Sequence, residues 1–477
     1  MTIIKEPGSY RDPEGGVFYE GGKVYRWVSK TNKTFYLDLI KKSYFKELVE
    51  KGFHIDTKLV DLDNSEIISH FDPGVCFFEH KSIDFITFPY EWPRSKIYKA
   101  ALHTLMLQED LLVNNLSLKD ATPYNIQFNY SQPIFIDFCS IIPASETGIW
   151  VAYNQFCQMF IYPLLLDRFK ISHLKSFYLN SLDGVILSDT VKALGFKPFW
   201  RLGIVIDYLL PALVLKLKTW RSLDVNRYKI PTSRKLKNSI QIQLYMVKRL
   251  KKVINKIFSA SVSSDWLRYT DICSYSDTES TIKYDFIKMA LERNNIKKVL
   301  DIGCNTGKFS ILSSEMGCDV VAIDTDHECV DLLYNLSAEK NYSILPLCIN
   351  ITNPSPSIGW FNEERKSFLT RIYKRFDCVF ALALIHHLMI SDRVPMSELP
   401  RLFAHCTKRY VIVEYIDLSD KMVQGLLKYR AEKYDNWNRQ NFEKEMNSQF
   451  NIICKKRIVS PDLLINRCLY LMELRSC

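Results

Sequence analysis

The opening residues, MTIIKEPGSY, contain no apolar run of the kind a signal peptide needs, so a cytoplasmic location is expected. The longest apolar run, 202–217, is interrupted by Asp207 and Pro211 and falls short of the ~20 residues of a spanning helix. A buried helix is expected there, with a membrane-facing one as the alternative. None of the 13 cysteines stands in a C-x-x-C pair and no zinc spacing occurs, so reduced cysteines, mostly in the core, are expected. No internal repeat is visible. The G-x-G-x-x-G of a dinucleotide site is missing, as is any module motif for RNA or DNA.

What is present is an ordinary globular balance. The chain has 477 residues, 47% hydrophobic and 24% charged, enough for two to four domains. The net charge of +10 is concentrated. Residues 201–260 hold fourteen Lys and Arg against Asp207 and Asp224, which leaves the remainder near −2. Within 234–258, Leu236, Ile240, Leu244, Val247, Leu250, Ile254 and Phe258 recur at helical steps. Lys235, Lys237, Lys248, Arg249, Lys251, Lys252 and Lys256 line the rest of that helix without one acid. Three readings stay open for them: a solvated inter-domain face, a surface for an anionic membrane or a lipid-linked phosphate substrate, and nucleic acid, which lacks a supporting motif.

The most informative stretch runs from Val299 to Lys308. An apolar strand ends at Asp301, and Gly303, Asn305 and Gly307 make a turn into a helix. A second strand ends at Asp324, 23 residues on, the spacing of strand, helix, strand. A carboxylate there can accept two hydrogen bonds from ribose hydroxyls. A third strand ends at Asn350. The apolar run 376–385 reads as a central parallel strand ending at His386 and His387. A fifth strand ends at Glu414, and two more, near 450–454 and 468–472, finish the sheet. Aromatics at 266, 269 and 275 precede a helix over 280–294 and are read as a lid or as simple docking residues.

This turn resembles motif I of class I S-adenosylmethionine (SAM) methyltransferases, with Asn305 replacing the middle glycine. The resemblance implies that Asp301 orients the methionyl amine, Asp324 the ribose and Asn350 the adenine amino group. It implies that Gly303 and Gly307 allow close backbone approach. It also puts His386 and His387 beside the transferring methyl, where one would act as base or pack against the cofactor.

The N-terminal half carries a second pattern. A hairpin (17–28), a helix from 35 to 51 capped by Thr34, strands at 75–79 and 85–88, a Pro-rich break and a helix over 95–114 are expected. Then come Asp120, Asn125 five residues later, and Asp137 at a strand end. This resembles a kinase catalytic loop and its magnesium-binding strand, with Asp120 as the catalytic carboxylate and Asn125 and Asp137 as metal ligands for Mg-ATP. No phosphate-binding Gly loop or strand lysine accompanies it. Arg26 or Lys23, with Glu47 or Glu50 as helix partner, is the nearest substitute, so the N-lobe reads as shortened. The two aspartates would otherwise only cap turns.

FPYEW (88–92), LKDATPYNIQF with IFID (118–137), WVAYNQFCQMFIYP (150–163), NPSPSIGW (353–360) and ALIHHL (383–388) extend the resemblance across the chain. The whole is similar to bacterial proteins that join a kinase-like segment to a class I methyltransferase, and to enzymes encoded with polysaccharide and nodulation-factor genes. The fold implied is α/β. It comprises a kinase-like α+β domain (1–230), a basic helical linker (231–262) and a Rossmann-like methyltransferase (263–477). The cofactor implied is SAM. The acceptor would be a hydroxyl or amine of a small molecule or glycan, with peripheral contact at the inner membrane face through 234–258. A bifunctional kinase/methyltransferase and a non-catalytic kinase-like scaffold are the alternatives.

Overall fold

The computed structural model describes residues 3–62, 68–145, 148–210, 213, 236–259, 277–428, 436–458 and 467–475. The expected lid aromatics, residues 211, 212 and 214–217 of the apolar run and the start of the basic helix lie outside them. The chain divides into two compact units. Unit 1 is Met1–Ser263 with Ser357–Arg365, and unit 2 is Ser264–Pro356 with Lys366–Cys477. Among the described residues no helix is long and apolar enough to cross a membrane.

Unit 1 begins with a five-stranded antiparallel sheet. Its strands are β1 (Ile4–Lys5), β2 (Gly15–Glu20), β3 (Lys23–Val28), β4 (Thr57–Val60) and β5 (Cys76–His80), in the order β1-β2-β3-β5-β4. The hairpin is where the alternation put it. Residues 85–88 are not a strand. Their backbone is met by a side chain instead: the Gln127 amide accepts from Thr87 N at 2.9 Å and donates to Thr87 O at 2.9 Å. The expected helix 35–51 is two helices, α1 (Lys33–Lys41) and α2 (Ser43–Glu50), and Asn32, not Thr34, precedes the first. Lys42, extended at φ −69° and ψ 136°, separates them. The break re-phases the chain. Tyr36, Leu39, Phe45 and Leu48 are the buried positions, and six residues of straight helix would turn Phe45 well away from Leu39.

Next follow α3 (Arg94–Val113), β6 (Leu116–Leu118), β7 (Ile126–Asn129), β8 (Gln132–Phe135) and β9 (Ile141–Pro143). β7 pairs with β8, and β6 with β9. Phe138 anchors this region, its ring 5.0 to 5.3 Å from those of Phe78, Tyr36 and Phe45. The basic helix α4 (Leu236–Ser259) packs along α3 within unit 1. Tyr98 stacks on Phe258 at 3.9 Å and bonds Asn255 at 2.9 Å. Two of the cations on α4 are neutralised from within: Arg249 by the buried Asp207 at 2.6 Å, and Lys251 by Glu109. Lys248, Lys252 and Lys256, four residues apart, keep an exposed stripe.

Unit 2 opens with α5 (Asp277–Arg293) and β10 (Lys298–Ile302). It continues through α6 (Lys308–Glu315), β11 (Asp319–Asp324), α7 (His327–Lys340), β12 (Ile344–Cys348) and β13 (Phe376–Ala381). After α8 (Ile385–Ile390) come β14 (Thr407–Ile416), β15 (Phe450–Ile458) and β16 (Arg467–Leu474). The sheet order is β12-β11-β10-β13-β14-β16-β15. β10 to β14 are parallel, and β16 enters antiparallel between β14 and β15. The sheet therefore departs from a 3-2-1-4-5-6 dinucleotide sheet at one edge only. Val299, Val320, Phe380 and Ile412 stand in its fully buried interior.

Candidate methyl-transfer site

Strand order reverses between β10 and β13, and open α/β sheets gather ligands at that crevice, beyond the strands' carboxyl ends. The motif turn is one lip. Gly303 (φ +76°), Asn305 (φ +50°) and Gly307 (φ +84°) all take the left-handed conformation. Gly303 N and Cys304 N donate to Ile323 O at 2.8 and 3.1 Å, which ties the turn to β11. A Cβ on Gly303 would meet Leu384 Cδ1 at 3.0 Å, and one on Gly307 would meet Leu333 Cδ1 at 2.2 Å. Gly307 is thus glycine because α7 packs against it.

Asp324 ends β11. One carboxylate oxygen accepts from Asn305 N at 2.8 Å and the other from Asp326 N at 2.9 Å. Each oxygen keeps a second lone pair, the requirement for receiving two ribose hydroxyls. Asp301 lies beneath the turn, 3% exposed, and accepts from Ser310 Oγ at 2.6 Å. Burial pushes its carboxyl up to about 7, against the lowering effect of Ser310. Asn350 follows the last residue of β12 by two positions. Its Oδ1 already accepts from Thr352 N at 2.9 Å and Thr352 Oγ1 at 2.7 Å, so the acceptor foreseen for adenine closes a local turn.

The second lip follows β13. The strand stops at Ala381, not Ile385, because Ala383 turns left-handed (φ +49°) and α8 begins. That turn separates the two histidines. His386 is 4% exposed with Nδ1 unpartnered, and burial drives its pKa down to about 3. So weak a base is a poor proton acceptor. His387 is exposed; burial lowers its pKa, while Asp392 and Asp324 oppose the shift.

Of the three residues read as a kinase-type set, Asn125 and Asp137 are in contact, and Asp120 is engaged by Gln155. Asn125 Nδ2 is 3.3 Å from Asp137 Oδ2, and Gln155 Nε2 is 3.4 Å from Asp120 Oδ1. Arg26, however, pairs with Asp137 at 3.0 Å and Asp12 at 3.3 Å rather than with Glu47 or Glu50, and Lys23 pairs with Glu79 at 3.0 Å. The Asp137 carboxylate thus faces a guanidinium and an amide NH₂, both donors. Arg26 partly offsets the charge of this carboxylate, whose pKa burial nonetheless raises. The set does not fit Mg-ATP as arranged.

Residues missed by sequence reasoning form a buried ion cluster behind the second lip. Lys283 on α5 meets both oxygens of Glu414 at 2.7 and 2.8 Å. Arg467 Nε lies 2.8 Å from Asp420 and Nη1 3.8 Å from Glu414.

Residues 276–451 match the methyltransferase-domain family. Among solved structures the chain is similar to the N-methyltransferase NodS from Bradyrhizobium japonicum WM9 (9% identity, 42% of this chain and 99% of that one, TM-score 0.32). It is also similar to magnesium protoporphyrin IX methyltransferase from Synechocystis PCC 6803 with bound S-adenosylhomocysteine (14%, 44% and 92%, 0.32). The nodulation protein NoeA of Rhizobium meliloti (strain 1021) is 30% identical over 461 residues, spanning 94% of this chain and 93% of that protein. The crevice therefore belongs to a class I SAM-dependent methyltransferase domain, and the chain as a whole belongs to the family of nodulation protein NoeA.

Proposed function

We propose that this protein transfers the methyl group of SAM to a hydroxyl or amine of a saccharide or lipid-linked glycan. The observation that carries the cofactor half is Asp324, an oriented carboxylate at the strand-order reversal with a lone pair free on each oxygen. Bound SAM supplies an activated methyl and a good leaving group, so the chain's task is proximity, orientation and removal of one proton. Asp324 would hold the ribose and Asp301 the amine. His387, exposed in α8 after the fourth parallel strand, would accept the proton of a hydroxyl or ammonium acceptor. The acceptor class rests on the sequence resemblance. The Lys248, Lys252 and Lys256 stripe would suit an anionic surface or a phosphate-linked glycan.

The test is to follow label from methyl-labelled SAM, in an extract of the source cells, into soluble, lipid-extractable, protein and RNA fractions. Wild type and Asp324→Ala are run side by side. Label in the lipid or glycan fraction that disappears with the variant is expected, with SAM affinity about tenfold to a hundredfold weaker from the lost charge-assisted bonds. Label in protein or RNA would sink the acceptor class. No variant-sensitive label and no SAM binding would sink the enzyme reading.

SAM affinity should also respond to pH through Asp301. The free carboxyl titrates near 7 and the cationic amine favours its charged form. Below 7, binding must therefore expel a proton. The dissociation constant should fall by roughly threefold to tenfold from pH 5.5 to 7 and level off above, while Asp301→Asn should show a flat profile. The sign for the free protein is opposite: a raised carboxyl pKa removes folded-state stability as pH climbs from about 4 towards 7. An affinity of the wild type that does not change across this range would rule out the amine contact.

We read unit 1 as a kinase-like scaffold without phosphotransfer. Its helices α1 and α2 fall between the third and fourth strands of a five-stranded sheet, and its Asn125 and Asp137 are in contact, but Arg26 occupies Asp137.

A further inference from the structure

We propose that Glu414 is a positioning residue for the cofactor crevice, acting through the backbone of Ala383; the proposal rests on the SAM-binding reading above. Glu414 is fully buried near the end of β14. Its Oε2 accepts from Ala383 N at 2.9 Å. Ala383 is left-handed, a conformation that residues with a Cβ adopt only when something holds them there. The turn it makes sends Leu384 across the crevice, until Leu384 Cδ1 stands 3.0 Å from the position a Cβ on Gly303 would take. A contiguous set of contacts thus runs from Glu414 through Ala383 and Leu384 to the first glycine of the motif turn. It joins one lip of the crevice to the other.

The chemistry of the cluster supports a positioning role over a purely structural one. A buried ion pair commonly stabilises a fold less than well-packed apolar side chains of the same volume. Lys283 (2% exposed) contacts both Glu414 oxygens and balances the charge, and Arg467 and Asp420 balance each other beside them. What apolar packing cannot supply is an acceptor for Ala383 N, which is withheld from regular pairing by the left-handed turn. The carboxylate does that, and the lysine makes the carboxylate tolerable.

The test uses the full-length chain, with SAM titrated calorimetrically and thermal unfolding followed for each variant. Two charge-free pairs replace the ion pair. Lys283→Met with Glu414→Gln keeps an acceptor for Ala383, whereas Lys283→Met with Glu414→Leu removes it. The glutamine pair should melt close to wild type, and the leucine pair lower because Ala383 N has lost its acceptor. The glutamine pair should bind SAM within about threefold of wild type and the leucine pair at least tenfold more weakly. Adding Ala383→Gly to the leucine pair should recover most of the loss, because glycine reaches φ +49° unaided. Equal SAM binding by the two pairs overturns the proposal, as does a leucine pair that glycine fails to rescue, whether folded or not. A leucine pair that unfolds but folds and binds once Ala383→Gly is added upholds it. Failure of wild type itself to bind SAM would instead overturn the methyltransferase reading and is read from the same titration.

Discussion

Lys283→Met, made alone, is expected to cost unit 2 about 3–5 kcal/mol, the usual penalty for leaving one member of a buried ion pair uncompensated. Methionine matches the volume of the lysine stem, so little of this loss comes from a cavity. What remains is Glu414, fully buried, with Arg467 as its nearest cation at 3.8 Å and that guanidinium already committed to Asp420. At about 2–4 °C per kcal/mol for a unit of this size, the melting transition should fall by on the order of 10 °C. Glu414→Gln in the same chain should return most of it, because the stranded charge is gone. A single variant that melts like wild type, or a double variant no better than the single, would show that the pair carries no such strain.

Gly307→Ala should also be costly, about 2–4 kcal/mol, for two additive reasons. A residue with a Cβ at φ +84° is strained by about 1 kcal/mol relative to glycine, and the new carbon would stand 2.2 Å from Leu333 Cδ1. Leu333 is fully buried in α7, so it cannot swing clear. Adding Leu333→Ala should recover part of the loss, the signature of two residues competing for one space. Gly303→Ala should be milder, since its Cβ meets only the end of the Leu384 side chain at 3.0 Å. Equal losses at the two glycines would contradict the packing assigned to Gly307. Denaturant unfolding of the full chain, read at a probe within unit 2, measures both.

The methyltransferase half was legible because its signals are local. Asp301, Gly303, Gly307 and Asp324 sit at strand ends and turns that hydrophobic pattern and glycine mark directly, and parallel central strands read as continuous apolar runs. What escaped is non-local. Lys283 reads as one more helix lysine until a partner 131 residues away in the chain is known. The left-handed turn at Ala383 has no glycine to announce it. Thr352 two residues after Asn350 was a readable sign of a local turn that would engage the amide. In unit 1, β1 is two residues long and β4 has one buried position in four, too little for a period-two signal. The apolar run 85–88 was a convincing strand on pattern alone, and only the Gln127 amide explains why it is not.

The antiparallel β16 also sets a condition on the order of events during synthesis. It lies between β14 and β15, so the strand that fills the gap is translated after both of its neighbours. Until residues 467–474 emerge from the ribosome, the ladder of β14 from Tyr410 to Ile416 has no hydrogen-bond partner on that side. A nascent chain in that interval presents an open, apolar sheet edge, the kind that pairs with other chains. A chain released before residues 467–474 should therefore be prone to aggregate, because neither β14 nor β15 can complete its native pairing without β16.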